Sequence, residues 1–583
     1  MADPSTFDYR QHLELETPEH VVLDYEIAGV GSRAAAALVD WFILVVLILG
    51  VLFSFGLAGR AVGAVGGWSA AVVILLLFAI QFGYFALFEG LREGQTPGKR
   101  RLGIRTIRDS GRGITFADAA ARSLLLPVDL LGMIGILLIA IHPKGRRLGD
   151  LVAGTVVVRD RPVAARAAAA SLRGVVDATY DLGTPRLNDA EFQLVREFAS
   201  RAGALPAVVR ERFAAQLTAR FADRNPDRPA NNFEFIAQLH EDELARRRGR
   251  FGGRSAGRSV AERLIARKQG RWSEFQAIAE RVAKGGLDTL GAQELPDFAA
   301  RYREVAADLA RARTYDADPV VRAQLERLVA AGHSALYRDD RQTWARIWQF
   351  IVRDCPAAVV QSWRYVAIAY LVFLVSAGAG FAVLRDRPSL APELIPDTML
   401  ERAEAGAARA ASGQGYVTVT GPTMAAMIVV NNIKVAFLCF AGGVMLGVGA
   451  LFVLGFNGLQ LGISFGHFAN VGMSAYLWTF VIGHGVLEIS AFCFAAAAGF
   501  MLALAIIAPG TLSRSDALTL AGRRAMRLIG AVFVMLIAAG TIEGFVSGSA
   551  LSLSGRIAVS AGSAVFLVAY LVNGARARKA LSS

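Results

Sequence analysis

Apolar stretches of about 20 residues alternate with polar, often basic, segments along this 583-residue chain. A helix of that length crosses a hydrocarbon core ~30 Å thick. The stretches are Ala34–Leu57, Trp68–Phe88, Ser123–Ile141, Tyr365–Leu384, Val435–Phe456, Leu459–Ile482, Val486–Ile507, Ile529–Val546 and Val559–Val572. The pattern predicts an all-α, multi-pass membrane protein with a helical cytoplasmic region and a minor β-hairpin element.

The polar segments supply the remaining elements. Leu102–Arg108, the turn Asp109-Ser-Gly-Arg-Gly and Ile114–Phe116 read as a small hairpin, and TVVVR (Thr155–Arg159) as a further strand. Asn188 followed three residues later by Glu191 predicts a capped helix running to about Ala202. A Gly/Arg/Ser linker, Arg248–Arg258, precedes Ser259–Asp354, whose alternating apolar and charged positions predict a helical bundle. Four regions follow: a membrane part (1–162), a helical region with the linker (163–258), a cytoplasmic bundle (259–362) and a second membrane part (363–583).

Charge orients these regions. Arg92, Lys99, Arg100, Arg101, Arg105, Arg108, Arg112 and Arg122 place the segment after the second run in the cytoplasm, and with it the N-terminus. If Ser123–Ile141 crossed fully, the arginine-rich middle would lie outside. Pro127, Asp129, Gly132 and Gly135 interrupt that run, so a re-entrant helix pair is predicted instead. A second break is predicted at Gly483-His484-Gly485, and the basic ends Arg514–Arg527 and Arg576–Lys579 then fall in the cytoplasm. Residues 1–33 contain no pattern of a removable signal peptide, so the first span is expected to serve as an uncleaved one. The net charge of +13 clusters beside the apolar runs. That placement suits anionic lipid rather than nucleic acid.

Ionisable groups in hydrocarbon cost ~2.5–3.5 kcal/mol each on insertion scales and normally face protein, a partner or water. His484 and Glu488 stand one helical turn apart in an apolar run, and Glu543 interrupts another. Together with Asn431 and Asn432 they are the candidate intramembrane polar site, with Asn457 and Gln460 as further partners. The site reads either as a lock between helices or as a proton or cation relay.

Other chemistry is not expected. Cys355, Cys439 and Cys493 form no disulfide framework or thiolate metal site. His484 and Glu488 supply two ligands where zinc needs three or four. Gly462-Ile-Ser-Phe-Gly466 spells a nucleophile elbow but sits in an apolar helix, where glycines 458, 462 and 466 suit close packing. Gly94-Gln-Thr-Pro-Gly98-Lys99 is one residue short of a phosphate loop. No cofactor and no catalytic residues are expected, so an enzyme ranks third.

Two stretches carry family resemblances. LETPEHVVLDYEIAGVGSRAAAALVDW, GQTPGKRRLGIRTIR and GRRLGDLVAGTVVVR, within about 14–162, resemble the RDD family, named for an arginine and two aspartates. The resemblance assigns those roles to Arg33, Asp40 and Asp150. RYREVAADLARARTY, SWRYV, NNIKVAFLCFAGGVMLGVGALFVLGFNGLQLG, FVIGHGVLEISAF, PGTLSRSDALTLAGRRA and TIEGFVS, within about 259–548, resemble the stage II sporulation protein M family. That likeness implies a helical head, a membrane bundle and partner proteins in envelope remodelling. The fusion departs from the family's single-domain form, so a sporulation role is not carried over.

The reading is a multi-pass protein of a bacterial cytoplasmic membrane, with N-terminus, middle region and C-terminus inside, serving as a scaffold or assembly factor for envelope machinery. The alternative is an ion-coupled transporter using the intramembrane His and Glu residues. Expected partners are membrane lipid and other membrane or envelope proteins, with homo-oligomers as a further option and nucleic acid excluded.

Overall fold

The computed structural model describes residues 11–16, 22–62, 67–159, 187–202, 207–221, 231–250, 260–291, 293–314, 319–336, 344–411, 422–481, 483–542 and 553–582. It divides into two compact units, 26–160 with 338–583, and 1–25 with 161–337.

The first of these holds the membrane helices. It opens with α1 (Val30–Val62) and α2 (Gly67–Leu91), followed by the short α3 (Pro97–Arg101) and a strand, Ile104–Arg108. Next come α4 (Phe116–Leu124), α5 (Leu126–Leu130), α6 (Ile134–Ile141) and α7 (Leu148–Ala153), then the strand Thr155–Arg159. Beyond the other unit's residues lie α8 (Cys355–Gln361), α9 (Trp363–Asp386), α10 (Pro422–Ala441), α11 (Val448–Asn470), α12 (Gly485–Ile507), α13 (Arg514–Ile542) and α14 (Leu553–Ser582). Among the described residues eight helices are long and apolar enough to cross a membrane: α1, α2 and α9 to α14.

Ser123–Ile141 is not among them. It breaks into the end of α4, α5, a 3-10 turn at Leu131–Met133 and α6, with Met133 at φ 58°. Gly135 packs on Asp129, where a Cβ would come within 2.9 Å of the Asp129 Cβ. The interruption expected at this run is therefore present, and no single piece reaches ~20 residues.

Two local expectations need correction. The expected hairpin is reduced to one antiparallel bridge, Ile107 with Gly113, closed by the Arg108 amide donating to the Arg112 carbonyl at 2.9 Å, and it does not extend to Ile114–Phe116. Thr115 caps α4 instead, in a capping box with Asp118, and Ile104–Arg108 pairs antiparallel with the distant Thr155–Arg159. The expected break between Phe456 and Leu459 is also absent, because α11 runs unbroken through both. The chain turns earlier, at Gly442–Gly447, where Leu446 and Gly447 take positive φ. Gly442 sits against the Gly449 backbone and Gly443 against Gly499, approaches that leave no room for a side chain. The break at Gly483-His484 is as expected, between the helices Ser474–Val481 and α12.

Helix α12 is the centre of the bundle. Its run Ala495–Ala498 is fully buried, and such small side chains let neighbouring helices close in on every side. Helices α9 and α11 pack in parallel. Gly458, Gly462 and Gly466 meet Phe373, Ala377 and Phe381 in turn. Ser464 of the elbow-like motif bonds the Gln460 carbonyl within its own helix, so the glycines serve packing.

In the other unit, Val260–Gly285, Glu294–Thr314 and Pro319–Leu336 pack around Phe275, Phe298, Tyr302 and Leu325, with Leu15 of the strand His12–Glu16 in the same core. A smaller group, Asp189–Arg201, Ala207–Phe221 and Asn232–Arg250, closes over Val195, Phe221 and Phe235. The capping box of Asn188 and Glu191 forms as the sequence predicts. Most of the Arg248–Arg258 linker lies outside the described residues.

Candidate functional site: a buried charge chain and a separate polar pair

Asp40 stands on α1 one face below Arg33, and its partners are local. Its carboxylate accepts from the Tyr84 hydroxyl (2.9 Å), the Thr96 hydroxyl (2.5 Å) and the Gly98 amide (2.8 Å). Thr96 also caps α3 by accepting from the Lys99 amide, so Asp40 closes a helix N-terminus with its negative charge. Gly98 lies on the Ala36 carbonyl, which excludes any side chain there. Asp40 turns neither to Arg33, seven residues before it on the same helix, nor to the polar groups of Ser123–Ile141. The TPG turn takes that place.

Arg33 instead joins a chain of alternating charge. Lys99 Nζ lies 2.6 Å from Glu89 Oε1, and Arg122 Nε lies 2.7 Å from Glu89 Oε2. Arg122 Nη1 pairs with Asp150 Oδ1, and Arg33 Nη2 lies 2.7 Å from Asp150 Oδ2. Further hydrogen bonds complete it: Lys99 donates to the Thr106 hydroxyl at 2.8 Å, Arg122 to the Thr155 hydroxyl at 2.9 Å, and the Arg147 amide to Asp150 at 3.0 Å. Beside it Asp129 accepts from the Leu148 amide at 3.0 Å and pairs with Arg147 at 3.4 Å. The Arg122 side chain is 1% exposed, and Glu89 and Asp150 are as deeply buried.

Burial depresses two cations of this cluster that lie outside the spans, Lys99 and Arg147. The Lys99 ammonium is held at about 7 by desolvation, against the opposing pull of Glu89. The Arg147 guanidinium is lowered to about 10 by the same cause, with Asp129 opposing.

The cluster is welded to the second set of helices. Gly154, at φ 64°, sits against Thr519 of α13, and Gly522 lies on the Val152 carbonyl of α7. The Thr519 hydroxyl donates to the Leu151 carbonyl at 2.9 Å, and Arg146 donates to the Ser515 hydroxyl at 3.1 Å. Deeper along the bundle, Phe82 of α2 and Phe533 of α13 both pack at 5.6 Å on Phe437 of α10.

The polar pair of α12 is sparser. His484 Nε2 lies 3.7 Å from Glu488 Oε2, and the Asn432 amide bonds the Glu488 carboxyl. Asn432 and His484 are buried. Asn431 is exposed and touches the site through a 3.5 Å contact in which its amide donates to the Asn432 side-chain oxygen. Asn457 bonds the Val453 carbonyl of its own helix. Glu543 lies outside the described residues, although Ile542 packs on Gly483 beside the pair. Among the described residues no group of three or more His, Cys, Asp or Glu side chains is placed to hold a metal ion.

Comparison with known proteins places these halves. The RDD family matches residues 27–154, stage II sporulation protein M matches 369–548, and a domain of unknown function, DUF8413, matches 262–338. The chain is a fusion of an RDD domain and a sporulation-M domain. The helical head, which carries RYREVAADLARARTY, falls to the DUF8413 match rather than to the sporulation-M one. A stretch of 76 residues is 37% identical to an uncharacterized protein of Methanocaldococcus jannaschii. It covers 13% of this chain and 43% of that protein, so the chain spans less than half of that relative's length. No solved structure matches.

Within the RDD domain, sequence reasoning found Arg33, Asp40 and Asp150 and missed Glu89, Lys99, Arg122, Asp129 and Arg147. A signal was present. Glu89 ends one apolar run, and Arg122 immediately precedes another on the same side of the membrane. Opposite charges at two run ends that share a plane are candidates for pairing.

Proposed function

We propose that this membrane protein is a scaffold or assembly factor, with the RDD domain fixing the cytoplasmic end of the sporulation-M bundle. The observation that carries the reading is the weld of α7 to α13, where glycine-mediated contact replaces a flexible junction. The same α7 carries Asp150, the acid between Arg122 and Arg33, so the charge chain braces the element that docks. An assembly platform needs such a rigid body, with its cytoplasmic helical domains and outward helix faces available to partners.

Purification of the intact protein from its native membranes in mild detergent tests this. A discrete complex with other membrane proteins, broken when Gly522→Leu parts α7 from α13, is the expected result. A protein that runs alone at every detergent concentration would refute it.

The second reading, ion-coupled transport, draws on one contact, His484 with Glu488 beside Asn432. Two titratable groups at that depth are what a relay requires.

A further inference from the structure

Helix α10 carries a lysine where a membrane helix can least accommodate one. Lys434 stands seven residues before the end of the helix at Ala441 and twelve after its start at Pro422, in an apolar span, and it is exposed. The apolar span that contains it runs Ala425–Val444, so at 1.5 Å per residue Lys434 lies about 14 Å from one end and about 15 Å from the other. Side chains on a helix lean toward its N-terminus, so Lys434 leans toward Ala425, and a lysine is too short to snorkel past either end of the span. Lys434 is two residues past Asn432, hence on the opposite side of α10 from the His484–Glu488 pair. Its exposed neighbours fall in a pattern: Met427, Asn431, Lys434 and Leu438 are spaced 4, 3 and 4 residues apart. That is the seam spacing of two packed helices. Among the described residues one side of this seam is bare.

We propose that this seam receives a transmembrane helix of another protein that carries an aspartate or glutamate at mid-membrane. Charge complementarity selects the occupant, because an ammonium in hydrocarbon is relieved by a carboxylate, and Asn431 adds a second polar contact one turn away. A second copy meeting face to face would set Lys434 against Lys434. Nor do the spans of a copy offer a suitable acid elsewhere among the described residues: Asp40 and Glu89 are buried and Glu488 is engaged by Asn432 and His484. The proposal gives the assembly reading a partner chemistry and rests on it.

The test uses the full-length protein in liposomes with labelled leucine-rich transmembrane peptides bearing a central Asp, Asn or Leu, read by energy transfer. The Asp peptide should bind best. Lys434→Met should weaken it about three- to thirtyfold, the range of single polar contacts between membrane helices, with thermal melting unchanged. Lys434→Glu should lose the Asp peptide and gain one with a central Lys. Equal binding of Asp and Leu peptides would overturn the proposal, as would binding indifferent to Lys434→Met. So would subunit counting that shows a homo-oligomer dissolved by that variant, or binding that follows anionic lipid content. These results leave the native complex of the assembly reading untouched, so the two can fail separately.

Discussion

The RDD domain and the sporulation-M domain both bury ionisable groups, and they do it differently. In the RDD domain, Lys99, Glu89, Arg122, Asp150 and Arg33 form a continuous alternation in which every carboxylate meets two cations. In the sporulation-M domain, Glu488 has one imidazole at 3.7 Å and one amide. Burying charge is tolerated when partners and hydrogen bonds are complete, and removal of one partner then strands the rest. The comparison teaches that similar residue types serve different ends. The saturated chain holds its helices in place, whereas the sparse pair is open to either a lock or a relay.

The largest effect that would sharpen this contrast is at the centre of the chain. Arg122→Met should leave Glu89 with Lys99 alone and Asp150 with Arg33 alone, break the chain in two and cost about 3–5 kcal/mol, seen as a steep loss of melting temperature in detergent. Arg122→Met melting like the natural protein would show that the alternation is not structural. Asp40→Leu comes next, at about 1–3 kcal/mol or more, because the Thr96 and Tyr84 hydroxyls and the Gly98 amide lose their acceptor. It should also release the turn, so trypsin cleavage at Arg100 and Arg101 should quicken. Unchanged cleavage would mean the turn holds without Asp40.

These elements were unevenly legible from sequence. The membrane class, the break at Gly483-His484, the interrupted run at Pro127 and the glycine stripe 458-462-466 all follow from chain-local chemistry, and the structure has them. The pairing of Ile104–Arg108 with Thr155–Arg159 was not legible, because nothing local distinguishes a partner 50 residues away from the adjacent Ile114–Phe116. The turn at Gly442–Gly447 was missed because apolar runs conceal it. Only the three-dimensional approach of Gly443 to Gly499 explains why glycine is required there. The charge chain was half legible: motif resemblance gave Arg33 and Asp150, whereas Glu89 and Arg122 carried only the weaker signal of opposite charges at two run ends.

Two smaller effects bear on the same contrast. Gly522→Val places a side chain on the Val152 carbonyl and should cost about 1–3 kcal/mol by overpacking, with the loss appearing as separate melting of the two domains. A single unshifted transition would contradict the weld. The last effect concerns pH. The folded Lys99 titrates near 7, below its usual 10.5, so between those values the unfolded chain binds more protons than the folded one. Stability relative to Lys99→Met should therefore rise with pH across that window, and a flat or falling difference in melting temperature would show that the ammonium is not penalised by burial.

The most direct measurement of the central claim, that these buried groups brace an assembly body rather than conduct, is ion flux in proteoliposomes across an imposed pH gradient. The account predicts that the natural protein and Glu488→Gln, both folded, carry protons and cations no faster than empty vesicles. A pH-dependent flux in the natural protein that Glu488→Gln abolishes would contradict it and establish the relay.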